Sequence, residues 1–117
     1  MANLLQETNE ILKENKKSWQ EVKWVGCRDF QIPIALFKDL ANKEYDDGYG
    51  AQEVATDLLV VGNNWWLERH EYDGSEWWEF KELPKEPIIY RPDIKKIIGE
   101  VWKTLEELND KEESNNG

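Results

Sequence analysis

Residues 58–82, LLVVGNNWWLERHEYDGSEWWEFKE, hold three strands and the two turns that join them. Leu58-Leu59-Val60-Val61 is a short apolar run without alternation, as expected of a central strand covered on both faces. Gly62-Asn63-Asn64 reverses the chain. Residues 65–72 and 75–82 then form a hairpin across Asp73-Gly74, a dipeptide suited to the positive φ angles of a type I′ turn. A two-residue turn pairs Tyr72 with Ser75, which sets Leu67 opposite Phe80 and Arg69 opposite Trp78. Trp65, Leu67, Trp78 and Phe80 share one face and read as core. The other face carries Trp66, Glu68, His70 and Tyr72 against Lys81, Glu79, Trp77 and Ser75. Glu68 then lies across from Glu79, a like-charge pair that weakens a hairpin. A one-residue slip relieves that repulsion but mixes charge into both faces, and apolar segregation normally sets register. The first register is therefore expected.

Upstream, Leu4, Leu5, Thr8, Ile11 and Leu12 recur at helical spacing over residues 4–15, and Asn3 with Gln6 resembles a capping box. Ser18-Trp19-Gln20-Glu21 repeats that spacing and predicts one short helical turn. A strand is expected from Val22 to about Phe30, with Cys27 buried in it and Trp19 and Trp24 packed under the first helix. Pro33 opens a second helix with Ile34, Phe37, Leu40 and Ala41 on its apolar face, ended by Asp47-Gly48-Tyr49-Gly50. Downstream, Pro84, Pro87 and Pro92 punctuate a connector. Asp93 reads as the N-cap of a long last helix whose stripe is Ile94, Ile97, Ile98, Val101, Trp102, Leu105 and Leu108, with Trp102 in the core. The expected fold is α+β: a three- to four-stranded antiparallel sheet, with its meander at about 57–83, packed by the N-terminal helices and that long C-terminal helix. Residues 1–108 make one domain and 109–117 a flexible acidic tail.

The chain has 117 residues, 25 acids, 15 bases and a formal charge of −10. Nearly all of the excess lies in residues 44–79, where ten acids accompany the single base Arg69. Direct docking on nucleic acid or an anionic membrane needs Lys and Arg to neutralise phosphates, so a basic protein surface is the natural partner. One Cys and one His exclude an internal disulfide framework and the common zinc sets. No apolar run approaches the length of a membrane span, and no signal pattern opens the chain, so a cytoplasmic setting is expected.

Catalytic motifs fail one by one. His70-Glu71 begins a zincin pattern, but Gly74 stands where the second histidine belongs. Aligning Gly48 or Gly74 with the invariant glycine of a calcium loop puts Lys43 or Arg69 at the first ligand position. Paired carboxylates discriminate nothing in so acidic a chain. No histidine neighbours Cys27, and there is neither a phosphate loop nor a nucleophile elbow. The expectation is a protein without catalytic activity, cofactor or metal.

The stretch from about Lys43 to Leu83, above all GYGAQEVATDLLVVGNNWWLERHEYDGSEWWEFKEL, resembles small acidic proteins carried by phages and prophages of Gram-positive bacteria. That type of sequence brings no assigned activity, so no functional residue is carried over. The resemblance implies a context in which such domains inhibit host proteins, including anti-restriction and anti-CRISPR inhibitors that occupy nucleic-acid sites. The expected function is an acidic inhibitor of a host nucleic-acid-handling or defence protein, such as a nuclease, acting in the bacterial host cytoplasm. Its carboxylates would partly mimic phosphates; otherwise the acidity serves solubility alone. The alternative is a Trp-based carbohydrate- or peptide-binding module, or a phage accessory protein. Candidate partner-binding residues are Asp46, Asp47, Glu53, Trp66, Glu68, His70, Tyr72, Trp77 and Glu79.

Overall fold

The computed structural model describes residues 1–48 and 50–110. The chain forms a first compact unit, Met1–Pro84, and a second that begins at Lys85. In the first unit the order is Ala2–Asn3 (β1), Leu4–Glu14 (α1), a 3₁₀ turn at Trp19–Glu21, Trp24–Gly26 (β2), Gln31–Ile32 (β3), Ile34–Ala41 (α2), Glu44–Tyr45 (β4), Leu59–Val61 (β5), Trp65–Tyr72 (β6) and Ser75–Glu82 (β7). The fold class is α+β, with one five-stranded antiparallel sheet ordered β3-β2-β5-β6-β7 and a small β1–β4 pair.

The hairpin takes the register that apolar segregation favours: Leu67 faces Phe80, Arg69 faces Trp78 and Glu68 faces Glu79. Its tip is a two-residue turn with φ of 53° at Asp73 and 89° at Gly74. β5 is central, paired to β6 on one side and β2 on the other. Gly62 is buried against the Trp65 indole, where an added Cβ would lie 2.1 Å from a ring carbon, so only glycine fits the turn.

α1 and the 3₁₀ turn follow their local signals, whereas α2 stops at Ala41, short of the expected end at Asp47-Gly50, because Glu44–Tyr45 pairs with β1, and Leu40 of its expected apolar face is exposed. The Asn3 side chain accepts the Gln6 N–H and caps α1, and the Ser18–Glu21 box closes the 3₁₀ turn. Both helices lie on one face of the sheet. There Leu12 of α1 and Phe37 and Ala41 of α2 pack with Val22, Val25, Val60, Trp65, Leu67 and Trp78, all nearly inaccessible to water. Burial of side chains of this size, about 1.5–3 kcal/mol each, is the main driving force for this unit.

Three further expectations are corrected. The strand expected over 22–30 ends at Gly26; Cys27 N–H donates to Phe30 C=O (2.9 Å) across a turn, and β3 returns as an extra edge strand. Cys27 is therefore half-buried in a turn. Trp24 is not under α1: Val25 faces the helices, so its neighbour Trp24 points to the opposite side, where it pairs across to Val61.

The third correction concerns the long C-terminal helix. Among the described residues of the second unit only Leu105–Asn109 (α3) is helical, and Trp102 is 96% exposed at a φ of 67°. Two local features oppose a continuous helix. Gly99 costs about 1 kcal/mol relative to alanine inside the expected stripe. Thr104 and Glu107 make a reciprocal capping box, the chemistry of a helix start. The Asn109 side chain then binds the Lys95 and Lys96 backbone, closing a loop onto the short helix. Of the tail expected at 109–117, residues 111–117 lie outside the described residues.

Candidate functional site

With both helices on one side, the residues that alternate to the other side of β6 and β7 form a second surface. It comprises Trp66, Glu68, His70 and Tyr72 on β6 and Ser75, Trp77, Glu79 and Lys81 on β7, extended by Leu59 and Val61 of β5 and Trp24 of β2. Its four indole and carboxylate side chains are half-buried, whereas Tyr72 at the hairpin tip is 76% exposed.

At its centre are the opposed carboxylates of Glu68 and Glu79. Leu83 N–H donates to Asn64 C=O (2.8 Å), which fixes the parity of the ladder and makes Glu68–Glu79 a hydrogen-bonded pair. Such residues stand about 5.5 Å apart at Cα, close enough for like charges to repel. Each carboxylate is met by its own strand. The Trp66 indole N–H donates to Glu68 (2.7 Å), whose other oxygen contacts His70 Nε2 at 2.7 Å. The Trp77 indole N–H donates to Glu79 (3.0 Å), and Lys81 Nζ lies 3.4 Å from it.

These contacts favour the ionised forms. The Trp66 indole, then His70, holds Glu68 below the usual carboxylate range. The Trp77 indole, against a smaller opposing effect of desolvation and with help from Lys81, does the same for Glu79. The result is two fixed negative charges side by side, each beside an indole ring that its own hydrogen bond immobilises.

The other candidates lie elsewhere. Asp46 accepts the Gly48 N–H and makes a local turn. The Asp47 carbonyl accepts the Glu76 N–H (3.1 Å), while Glu53 donates its backbone N–H to Glu76 Oε2 (2.7 Å). Glu76 faces the helices, so the structure does not join Asp46, Asp47 and Glu53 to the Trp66–Glu79 surface. Glu53 instead lines a mainly apolar cleft of about 310 Å³ between α2 and the 53–58 segment.

Pattern reasoning passed over the charged cluster on the helix side. Arg69, with its side chain fully buried, donates to Glu76 (2.7 Å), to the Tyr45 hydroxyl (3.0 Å) and to Glu7 (3.2 Å). Its guanidinium lies 4.9 Å from the Trp78 ring centroid, and Tyr45 donates to Glu7. Nε of Arg69 is buried without a hydrogen-bond partner among the described residues. Burial raises the Tyr45 hydroxyl pKa well above its usual value, reinforced by Glu7. Burial alone would loosen the Arg69 proton, but Glu76, Tyr45 and Glu7 outweigh it and hold the guanidinium charged. The sequence signal was present: the register that puts Trp78 in the core puts Arg69 opposite it.

Among the described residues no group of three His, Cys, Asp or Glu is arranged to hold a metal ion, and no helix is long and apolar enough to cross a membrane. Comparison with protein-family models, curated proteins and solved structures gives no match.

Proposed function

We propose that this chain is a non-catalytic, phage-encoded inhibitor that grips a basic surface of a host nucleic-acid-handling or defence protein, of the anti-restriction or anti-CRISPR kind, in the bacterial cytoplasm. The observation that carries this reading is the opposed Glu68–Glu79 pair, ionised and flanked by fixed indoles on the sheet face opposite the helices. Two adjacent carboxylates impose a repulsion that the fold does not need. An arriving Arg or Lys relieves it, and the Trp66 and Trp77 rings offer faces to the same cation. The net charge of −10 adds fast, salt-sensitive steering toward a basic partner. The phage context rests on the resemblance of residues 43–83.

The test uses wild type and the Glu68→Lys/Glu79→Lys variant as immobilised baits in lysate of a Gram-positive host. Wild type retains a basic nucleic-acid-binding enzyme that elutes with salt, and the variant loses it while keeping its circular dichroism spectrum. Retention by both baits places the interface elsewhere.

One observation favours a second reading. Both indole N–H groups are engaged by carboxylates, which leaves the ring faces free for stacking on a sugar or an aromatic side chain. Such stacking barely responds to salt, whereas carboxylate pairing weakens steeply, so a salt titration separates the two.

A further inference from the structure

β7 is an edge strand of eight residues, far longer than the opposite edge, β3. Its odd positions face β6, as the Leu83-to-Asn64 hydrogen bond fixes, so its even positions turn N–H and C=O outward. The outward N–H of Glu76 is taken by the Asp47 carbonyl. Beyond Glu82, Pro84 has no N–H to offer. Between these limits the outward N–H groups of Trp78, Phe80 and Glu82 have no hydrogen-bond partner among the described residues. The free stretch is thus bounded at Glu76 and Pro84, positions equidistant from Phe80.

That symmetry selects an occupant. We infer that β7 pairs antiparallel with β7 of a second copy of this chain, about a two-fold axis at Phe80, joining the two five-stranded sheets into one. Phe80 faces Phe80 of the second copy, and Trp78 faces its Glu82, so each of the three free N–H groups gains a carbonyl partner on both sides. The adjacent pairs on the outer face are Glu79 with Lys81 of the second copy, formed twice by symmetry. Moving the axis by one residue breaks this match. Centred on Glu79, the pairing would oppose Glu79 to itself; centred on Lys81, it would oppose Lys81 to itself and set Trp78 against Pro84, whose missing N–H leaves the Trp78 carbonyl without a donor. A C2 contact of this kind is self-complementary and closes at two copies, which satisfies the edge without further growth. This inference does not depend on the proposed function, because it concerns purified chain alone.

The test is sedimentation of the full chain across the micromolar to millimolar range, at physiological ionic strength. There a Debye length of about 8 Å screens the net charge of two acidic chains more than it screens contact pairs. Wild type shows a concentration-dependent dimer. Glu79→Lys and Lys81→Glu each turn both reciprocal pairs into like-charge pairs and weaken it by about tenfold. The double swap Glu79→Lys/Lys81→Glu restores it. Amide hydrogen exchange on wild type gives a readout without substitution: protection at Trp78, Phe80 and Glu82 rises with concentration. A chain that stays monomeric throughout, a dimer indifferent to the single reversals, a double swap that fails to restore it, or exchange at those three amides that ignores concentration overturns the inference.

Discussion

The two faces of the β6–β7 hairpin carry similar chemistry in opposite surroundings. On the helix side Arg69, Glu76, Glu7 and Tyr45 form a cluster in which Arg69 and Glu76 are sealed from water. On the other side Glu68, Glu79, His70 and Lys81 keep about a third of their side-chain surface exposed. Residues adjacent in sequence, such as Glu68 and Arg69, therefore have different work. A buried charge must be matched by its neighbours, since water is not available to it, and removing one partner strands the rest. A half-exposed charge is solvated whatever its neighbours do, so it contributes little to folding and remains available to a partner. The inner cluster ties α1, β4 and the loop after it to the hairpin; the outer cluster is the surface to which the proposed function assigns partner binding.

The largest break in this comparison comes from Arg69→Met. It leaves Glu76 buried, and Glu7 partly buried, without their cation, and denaturant unfolding should register a loss of about 3–5 kcal/mol. Thr8→Val is a smaller test of the same side. The Trp78 indole N–H donates to Thr8 Oγ1 (2.8 Å) in the core, and stranding that donor should cost about 1–3 kcal/mol.

Tyr45 sharpens the comparison through pH. The folded chain holds the Tyr45 proton more tightly than the unfolded chain, whose tyrosines titrate near 10.0. Stability from this source is complete below pH 10 and is lost as the pH rises above it. Melting temperatures measured from pH 9 upward should fall for wild type, and Tyr45→Phe should remove that part of the slope. The smallest stability effect belongs to the outer face. Glu68→Lys replaces a like-charge pair with an opposite one across from Glu79, and should change unfolding free energy by less than about 1 kcal/mol.

The hairpin was legible because three independent signals agreed: the Asp73-Gly74 turn, alternation on both arms, and segregation of Trp65, Leu67, Trp78 and Phe80 to one face. The outer-face site followed from the same register. What pattern reading missed depends on contacts remote in sequence. Glu7 and Tyr45 reach Arg69 from 62 and 24 residues away, and no local rule links them. β3 has two residues, too few to show any period. In the C-terminal segment the opposite happened. A persuasive stripe from Ile94 to Leu108 outvoted Gly99 and the Thr104–Glu107 box, although those residues mark a break and a restart.

The division between a face that folds and a face proposed to bind is tested most directly by one paired measurement. Wild type and the Glu68→Lys/Glu79→Lys variant are melted, then titrated with an arginine-rich peptide while tryptophan fluorescence is followed. The account predicts melting temperatures within a few degrees of each other and binding at least about tenfold weaker in the variant, with the wild-type affinity falling as salt rises. Equal affinity in the two proteins, or a variant that no longer folds, would contradict it.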